Sequence, residues 1–230
     1  MKIGIIGAMN CETERLKAMV ENGVSETVSG IEYTSGVICG REVVIATCGV
    51  GKVFAAVCAQ TMILRYSPDF IINTGVAGSL SDSLSVCDIA VSEDVVQHDM
   101  DTSPIGDPVG LISGINIVNI PADKKLCEAV CDVARGLGLR VKSGTIASGD
   151  AFIADKQKKT WISETFGAIA CEMEGASIGH VCYLNSVPFV VIRAISDGGD
   201  DSAAMSFDTF VKIAAENSIK IVVGLLNSQL

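Results

Sequence analysis

The sequence predicts an α/β fold with a single-domain, three-layer α/β/α architecture around a central mixed, largely parallel β-sheet. Short aliphatic runs of strand length alternate with segments of helical periodicity along the chain. Aromatic residues make up only 5% of the 230 residues, so we expect an aliphatic core, as in parallel strands covered by helices. No low-complexity linker or internal repeat divides the chain, and we expect residues 1–230 to form one domain.

The individual elements follow from the spacing of apolar residues. Seven aliphatic runs predict strands, at residues 2–8, 42–48, 69–74, 88–93, 141–148, 168–171 and 188–195. Five segments with helical spacing predict helices, at residues 12–21, 52–66, 124–136, 173–184 and 206–226. Ser206 is a candidate N-cap for the last helix, because serine accepts hydrogen bonds from first-turn N–H groups. Residues 102–121 are rich in proline and glycine and predict a long loop, typical of a functional or disordered segment.

Composition excludes several classes of function. The net charge of −10 leaves no basic surface for a nucleic acid. The apolar runs stop well short of the roughly 18 residues that a membrane-spanning helix needs. No signal-peptide pattern follows Met1, so we expect a cytoplasmic protein. Nine cysteines without a Cys-x-x-Cys pair, and only two histidines, favour neither a disulfide framework nor a zinc site.

Charged side chains follow three of the predicted strands. Glu12 comes shortly after the first strand, Glu172 and Glu174 follow the sixth, and Arg193 and Asp197 lie at the end of the seventh. Ligands of open α/β sheets bind outside the carboxyl ends of the strands, so we expect these groups to converge. Each also has a simpler interpretation as a helix cap or as a partner of a helix dipole. Burying two unpaired glutamates is unfavourable, however, and their apolar setting therefore favours a functional site.

Six short motifs occur in order over nearly the whole chain. They are Gly4-Ile5-Ile6-Gly7-Ala8-Met9 with Glu12, Gly49-Val50-Gly51-Lys52-Val53, Ile71-Ile72-Asn73-Thr74-Gly75, Ser148-Gly149-Asp150-Ala151-Phe152-Ile153, Glu172-Met173-Glu174 and Arg193-Ala194-Ile195-Ser196-Asp197. Together they resemble the 5′-methylthioadenosine/S-adenosylhomocysteine nucleosidases, within the purine nucleoside phosphorylase superfamily. The resemblance implies a homodimer that cleaves the N9–C1′ bond of methylthioadenosine, S-adenosylhomocysteine and 5′-deoxyadenosine without metal or cofactor.

The resemblance also implies roles for individual side chains. Asp197 would protonate adenine N7, Glu12 would activate the attacking water, Glu174 would hold the ribose hydroxyls, and Arg193 would order the water and its carboxylate partners. The substrate-binding positions that it implies are Met9, Val50, Val76, Ala77, Gly78, Phe152, Ile153, Glu172, Met173, Ser196 and Phe207. Among these, Phe152 would stack on adenine.

The chemistry of the residues agrees with hydrolysis. Cleavage of an N-glycoside develops positive charge on the ribose and negative charge on the base, which nearby carboxylates and an acid would stabilise. After the first strand the sequence offers Glu12 and no basic residue before Arg15, whereas a phosphate site requires cationic donors. We therefore favour water over phosphate as the nucleophile. A phosphorolytic enzyme of the same fold and a nucleoside-binding sensor without catalysis are the alternatives.

Two segments depart from the family pattern. Val76 and Ser79 stand where most relatives have serine and glycine, so either one polar contact near the nucleophile is missing and turnover is lower, or Ser79 or a backbone amide replaces that contact. In relatives the loop at 98–108 carries aromatic residues that cross the dimer interface and cover the 5′ group. Here it holds Thr102, Ile105 and Asp107, and Asp107 favours a polar or cationic 5′ tail. An exposed loop without substrate contact is the alternative.

Overall fold

The computed structural model describes residues 1–199 and 203–228. The strands are β1 (Lys2–Gly7), β2 (Glu21–Val28), β3 (Ile31–Ile38), β4 (Arg41–Thr47), β5 (Phe70–Ser79), β6 (Ile89–Gln97), β7 (Ile120–Pro121), β8 (Val141–Ser148), β9 (Ala168–Glu172) and β10 (Phe189–Asp197). The helices are α1 (Asn10–Ala18), α2 (Lys52–Tyr66), α3 (Lys124–Gly136), α4 (Lys156–Phe166), α5 (Gly175–Leu184) and α6 (Ala203–Asn227). The predicted α/β class with a mixed sheet is confirmed.

The long strand β5 organises the sheet. Its first half pairs in parallel with β1, and its last residues pair antiparallel with β9 through Gly78 and Cys171. Along its other edge, β10 follows it in parallel. Because β10 also pairs with β6, β6 with β8 and β8 with β9, these five strands close into a ring. The carboxyl ends of β1, β9 and β10 therefore meet beside residues 75–78 of β5.

Helices cover both faces of the sheet, as the three-layer prediction requires. On one face, α2 and α5 bury small and aliphatic side chains such as Ala55 and Ile178 against the strands. On the other face, α1, α3 and α6 contribute Leu16, Val130 and Ile219. No helix within the described residues is long and apolar enough to cross a membrane.

The helix predicted over 12–21 is wrong at its C-terminal end, where α1 stops at Ala18 and Glu21 already belongs to β2. This edge strand is largely exposed, so it lacks the apolar alternation that predicts a strand. The turns Ser29-Gly30 and Cys39-Gly40 connect β2, β3 and β4, with positive φ at all four residues. That is the conformation of a two-residue type I′ hairpin turn. These dipeptides are the sequence signal for a hairpin that apolar periodicity alone misses.

Several predicted boundaries are also wrong. The predicted third and fourth strands stop too early, because β5 and β6 continue as buried strands to Ser79 and Gln97. Ser206 is not an N-cap, since the helix formers Ala203-Ala204-Met205 precede it inside α6. The helix predicted from Met173 begins at Gly175 instead, with Glu174 as its N-cap. The helix α4 was not predicted, because only one of its eleven residues is buried.

The predicted loop over 102–121 is largely irregular. It contains a single 3-10 turn at Ser103–Ile105 and ends in the two-residue strand β7.

Gly179 tests how closely α5 approaches the sheet. A Cβ at this position would lie 2.7 Å from Phe189 Cζ and 2.8 Å from Val95 Cγ2. We expect Gly179→Ala to lower the free energy of unfolding by about 1–3 kcal/mol, because overpacking outweighs the helix propensity of alanine. Gly136→Ala in α3 is the matched control, since its Cβ would meet no atom within 4 Å. Urea denaturation measures both, and a Gly179→Ala protein as stable as the wild type would contradict this packing.

Candidate active site

A pocket opens where the ends of β1, β9 and β10 meet β5. It is lined by Ala8, Met9, Glu12, Val50, Val76, Ala77, Gly78, Phe152, Cys171, Glu172, Met173, Glu174, Ser196, Asp197 and Phe207. A larger surface groove along α3 contains none of the predicted site residues, so size does not identify the site. The convergence expected from the strand ends therefore occurs in this pocket.

Backbone N–H groups after the end of β1 and within β5 hold the buried Glu12 carboxylate. Oε2 accepts from the N–H of Ala8 at 2.7 Å and of Met9 at 2.8 Å, and Oε1 accepts from the N–H of Val76 at 3.1 Å. The bond from Met9 also caps α1, so the helix-cap and active-site interpretations of Glu12 describe one geometry. A Cβ at Gly75 would stand 2.5 Å from Oε1, so this glycine makes room for the carboxylate.

The two departures at β5 have different outcomes. Val76 contacts Glu12 through its backbone N–H, which a valine provides as well as a serine does. Ser79 does not replace a pocket contact, because its hydroxyl donates to the carbonyl oxygens of Ser81 at 2.9 Å and Leu84 at 3.0 Å. The Ser79 alternative is therefore wrong, and the replacement of the polar contact by a backbone amide stays a prediction.

Arg193 lies in β10, fully buried beneath the pocket and outside its lining. Its Nη2 donates to Asn73 Oδ1 at 2.5 Å and to Glu172 Oε2, and its Nε donates to the same carboxylate oxygen at 3.2 Å. Its Nη1 donates to the Ile192 carbonyl at 3.1 Å. The guanidinium thus anchors the floor of the pocket through Glu172.

Glu172 is surrounded by donors. Besides Arg193, its carboxylate accepts from the Ser148 hydroxyl, from the Glu174 N–H at 3.1 Å and from the Gly175 N–H at 2.7 and 2.9 Å. This many donors compensates for its burial, and Glu172 is accordingly a fixed element that joins β9, α5 and Arg193.

Glu174 is held more loosely. Its Oε1 accepts from the Gly51 N–H at 2.8 Å, and its Oε2 lies 3.9 Å from Arg193 Nη2. Gly51 has a φ of +102°, a conformation that favours glycine. Burial, and then the nearby charge of Glu172, raise the pKa of Glu174 to about 8 despite Arg193. Glu174 therefore holds its proton more strongly than an exposed glutamate does.

Asp197 ends β10 and is almost fully buried. Its Oδ2 accepts from the Ser196 hydroxyl at 2.8 Å, and its Oδ1 accepts from the Gly199 N–H at 2.9 Å. A Cβ at Gly78 would lie 2.7 Å from Oδ1, so glycine at this position of β5 lets the carboxyl group reach the pocket.

Apolar side chains flank the opening. Phe152 and Phe207 meet edge to face with ring centroids 5.5 Å apart. Phe152 and Val50 are each about half exposed, whereas Ile153 is buried in an adjoining recess shared with Gly78 and Asp197. The pocket thus combines carboxylates at its base with an apolar mouth, which suits a flat heterocycle joined to a polar sugar.

The predicted partner-subunit residues lie apart from this pocket. The Thr102 hydroxyl donates to Asp107 Oδ2 at 2.8 Å, and Ile105 is 82% exposed. None of the three lines the pocket of its own chain. Their contact with a partner subunit stays a prediction.

Four contributors to the site carried no role in the sequence analysis. Ala8 and Cys171 line the pocket, while Asn73 and Ser148 support its floor. Three of them lie within the quoted motifs and Cys171 directly precedes one. Their roles depend on which side chain each faces, and only the strand register reveals this.

Three buried carboxylates therefore surround one guanidinium. Burial raises the pKa of Glu12, and the attraction of Arg193 opposes this only in part. Within residues 1–199 and 203–228, no group of three or more His, Cys, Asp or Glu side chains could hold a metal ion. The arrangement offers carboxyl groups in different environments, which is the requirement for paired acid and base catalysis.

Comparisons with known proteins agree with this geometry. Residues 2–227 match the family model of the phosphorylase superfamily. The 5′-methylthioadenosine/S-adenosylhomocysteine nucleosidase of Shewanella piezotolerans is 40% identical over 228 residues, covering 98% of this chain and 99% of the relative.

Solved structures give the same result. The Neisseria meningitidis nucleosidase of that name, in complex with methylthio-immucillin-A, is similar with a TM-score of 0.95 and 36% identity, covering 99% of both chains. The futalosine hydrolase of Helicobacter pylori has a TM-score of 0.94 and 36% identity, covering 99% of this chain and 97% of that one. With full-length similarity in both sequence and structure, the chain belongs to the 5′-methylthioadenosine/S-adenosylhomocysteine nucleosidase family of the phosphorylase superfamily.

Proposed function

We propose that the protein hydrolyses the N-glycosidic bond of 5′-substituted adenine nucleosides, among them methylthioadenosine, S-adenosylhomocysteine and 5′-deoxyadenosine. The products are adenine and a ribose that keeps its 5′ substituent. The convergence of Glu12, Glu174 and Asp197 on one pocket with an apolar mouth carries this proposal. The activity in the names of its relatives supports it.

In the proposed mechanism, Asp197 donates a proton to adenine N7 while the electron pair of the N9–C1′ bond passes to the base. Glu12 accepts a proton from water, whose oxygen attacks C1′ of the oxocarbenium-like sugar. Glu174 accepts hydrogen bonds from the ribose hydroxyls above Met173, and Phe152 stacks on the base with the Ile153 backbone at its edge. Each acid or base step contributes a factor of about 10²–10⁴ in such reactions.

Water is favoured over phosphate by the charge of the pocket. The described lining residues include four carboxyl groups and no lysine or arginine. The buried guanidinium of Arg193 is already bonded to Glu172 and Asn73. A phosphate dianion would find repulsion here in place of the cationic donors that it requires.

Asp197→Asn tests the reaction and the acid together. Adenine release from methylthioadenosine and S-adenosylhomocysteine is measured in phosphate-free buffer. We expect wild-type release without phosphate, and a loss of kcat of at least about 10²-fold in the variant, because asparagine cannot donate the proton to N7. Activity that appears only on adding phosphate would indicate a phosphorylase. Tight nucleoside binding with no release at any pH would indicate a sensor.

Glu174→Gln tests the electrostatic state of the pocket. The pKa of Glu174 rises in the folded protein from 4.5 to about 8. Protonation of this carboxyl group therefore stabilises the folded protein fully below pH 4.5, and this stabilisation is lost as the pH rises through 8. We expect the variant to lose activity, yet to gain thermal stability over the wild type progressively between pH 5 and 9. The exposed Glu128→Gln is the control, since it removes a carboxylate outside the pocket. A parallel stability difference at all pH values would contradict the raised pKa.

We also propose a homodimer formed through α2. Val53, Val57 and Leu64 lie on one stripe of this helix, and Val53 and Leu64 are 74% and 73% exposed. Exposed aliphatic stripes are typical of interaction surfaces.

The nine cysteines are all free, which supports the proposed cytoplasmic location, a reducing compartment.

Analytical ultracentrifugation tests the assembly. We expect the wild type to sediment at twice the 24.0 kDa chain mass, and Leu64→Asp to shift it towards the monomer by burying an unpaired charge. Ile213→Asp on α6 is the control, since Ile213 is exposed outside this stripe. A wild type that remains monomeric at micromolar concentration would contradict the dimer.

A further inference from the structure

A hydrogen-bonded cluster outside the pocket joins three segments that form it. Asp99 follows β6, Lys52 begins α2, and Asp150 follows β8. Asp99 Oδ1 accepts from Lys52 Nζ at 2.6 Å, and Asp99 Oδ2 accepts from the Asp150 N–H at 2.9 Å. Asp150 Oδ1 in turn accepts from the Lys52 N–H at 2.7 Å. None of the three side chains lines the pocket.

The first connection reaches the wall on which we place the base. Only Ala151 separates Asp150 from Phe152, so Asp99 fixes the backbone two residues before the aromatic ring. The packing here is close, since a Cβ at Gly149 would lie 2.5 Å from His98 Cε1 and 3.1 Å from Asp99 Cγ. His98 and Asp99 together leave little room for this segment to shift.

The second connection reaches the sugar side. Asp150 binds the first backbone N–H of α2, and the N–H of the preceding residue, Gly51, donates to Glu174. The Lys52 carbonyl oxygen accepts from the Ser177 hydroxyl of α5 at 2.7 Å. The start of α2 is therefore held between the segment carrying Phe152 and the helix that follows Glu174.

The cluster differs from an ordinary surface ion pair. The Lys52 and Asp99 side chains are only 20% and 30% exposed. The Asp99 carboxylate also accepts from the Asp150 N–H, and the Asp150 carboxylate accepts from the Lys52 N–H. Exposed pairs such as Arg135–Asp132 contribute little, because solvent screens them and ordering two side chains is unfavourable. A pair that also fixes backbone donors sets the position of whole segments.

We propose that Asp99 and Lys52 are positioning residues of the nucleoside site, which hold the segment of Phe152 in the place where adenine binds. The inference rests on the proposed function and concerns residues that do not touch the substrate. The Asp99 carboxylate binds the backbone beside Phe152, whereas the contacts on the sugar side use the backbone N–H groups of Gly51 and Lys52. Loss of the Asp99 or Lys52 side chain therefore weakens binding of the base and leaves proton transfer by Asp197 largely intact. Displacements well below 1 Å in such supports are enough to impair a site.

The test compares Asp99→Asn, Lys52→Met and the double variant. For each, kcat and KM for methylthioadenosine are measured by adenine release, and the Kd of free adenine by calorimetry. We expect each single variant to raise KM and the adenine Kd about tenfold with kcat within about threefold. The double variant should be no worse than the stronger single one, because the two side chains act as one unit. Lys52→Arg should restore part of the binding.

Glu32→Gln is the matched control, since it removes an ion pair outside the pocket and should leave KM and the adenine Kd unchanged. Wild-type adenine affinity in Asp99→Asn would overturn the inference. A loss of both kcat and thermal stability with no change in KM would overturn it too. The wild-type arm reports separately on the proposed function. A wild type that neither releases nor binds adenine would contradict that function, and this inference with it.

Discussion

The buried guanidinium of Arg193 is the interaction on which the site depends. It lies beneath a pocket that contains the Glu12, Glu172 and Glu174 carboxylates, and Glu172 accepts two of its four hydrogen bonds. Without this cation, Glu172 would be an unpaired charge in the core, a strongly destabilising arrangement. One cation does not balance three carboxylates, however. Burial raises the pKa values of Glu12 and Glu174, the charge of Glu172 raises that of Glu174 further, and the guanidinium offsets this only in part, so the protein maintains proton-binding groups at some expense of stability.

The second constraint is geometric and comes from β5. Along one edge, β5 pairs first with β1 and then with β9. The strand ends that carry Glu12 and Glu172 therefore open onto the same few residues of β5. Glycines at 75 and 78 leave space there for Glu12 and Asp197. Much of the polar binding in the pocket uses backbone N–H groups, which explains how valine occupies position 76 without removing the contact to Glu12. Backbone donors tolerate changes of side chain that side-chain donors do not.

The sequence predicts the site better than it predicts the sheet. Carboxylates at strand ends are visible as charges after apolar runs, so the positions of Glu12 and Asp197 follow from general rules of α/β folds. The edge strand β2 is not visible, because exposed strands carry no apolar alternation. Contacts such as Asp99 with Lys52 join residues 47 positions apart, and no local pattern specifies them. They depend on register and on close packing at Gly149, which become evident only once the strands are assembled.

The tight turn between β3 and β4 has a practical consequence. It contains Cys39, the one exposed thiol among nine cysteines that all lie within the described ranges. Since β4 runs parallel to β1, this turn lies at the sheet edge opposite the carboxyl ends that form the pocket. A maleimide reagent would therefore attach a fluorophore or a solid support at Cys39 in preference to the partly buried Cys11 and Cys87, leaving the opening at Phe152 unobstructed. The fold thus provides a covalent handle for immobilising the molecule in a defined orientation.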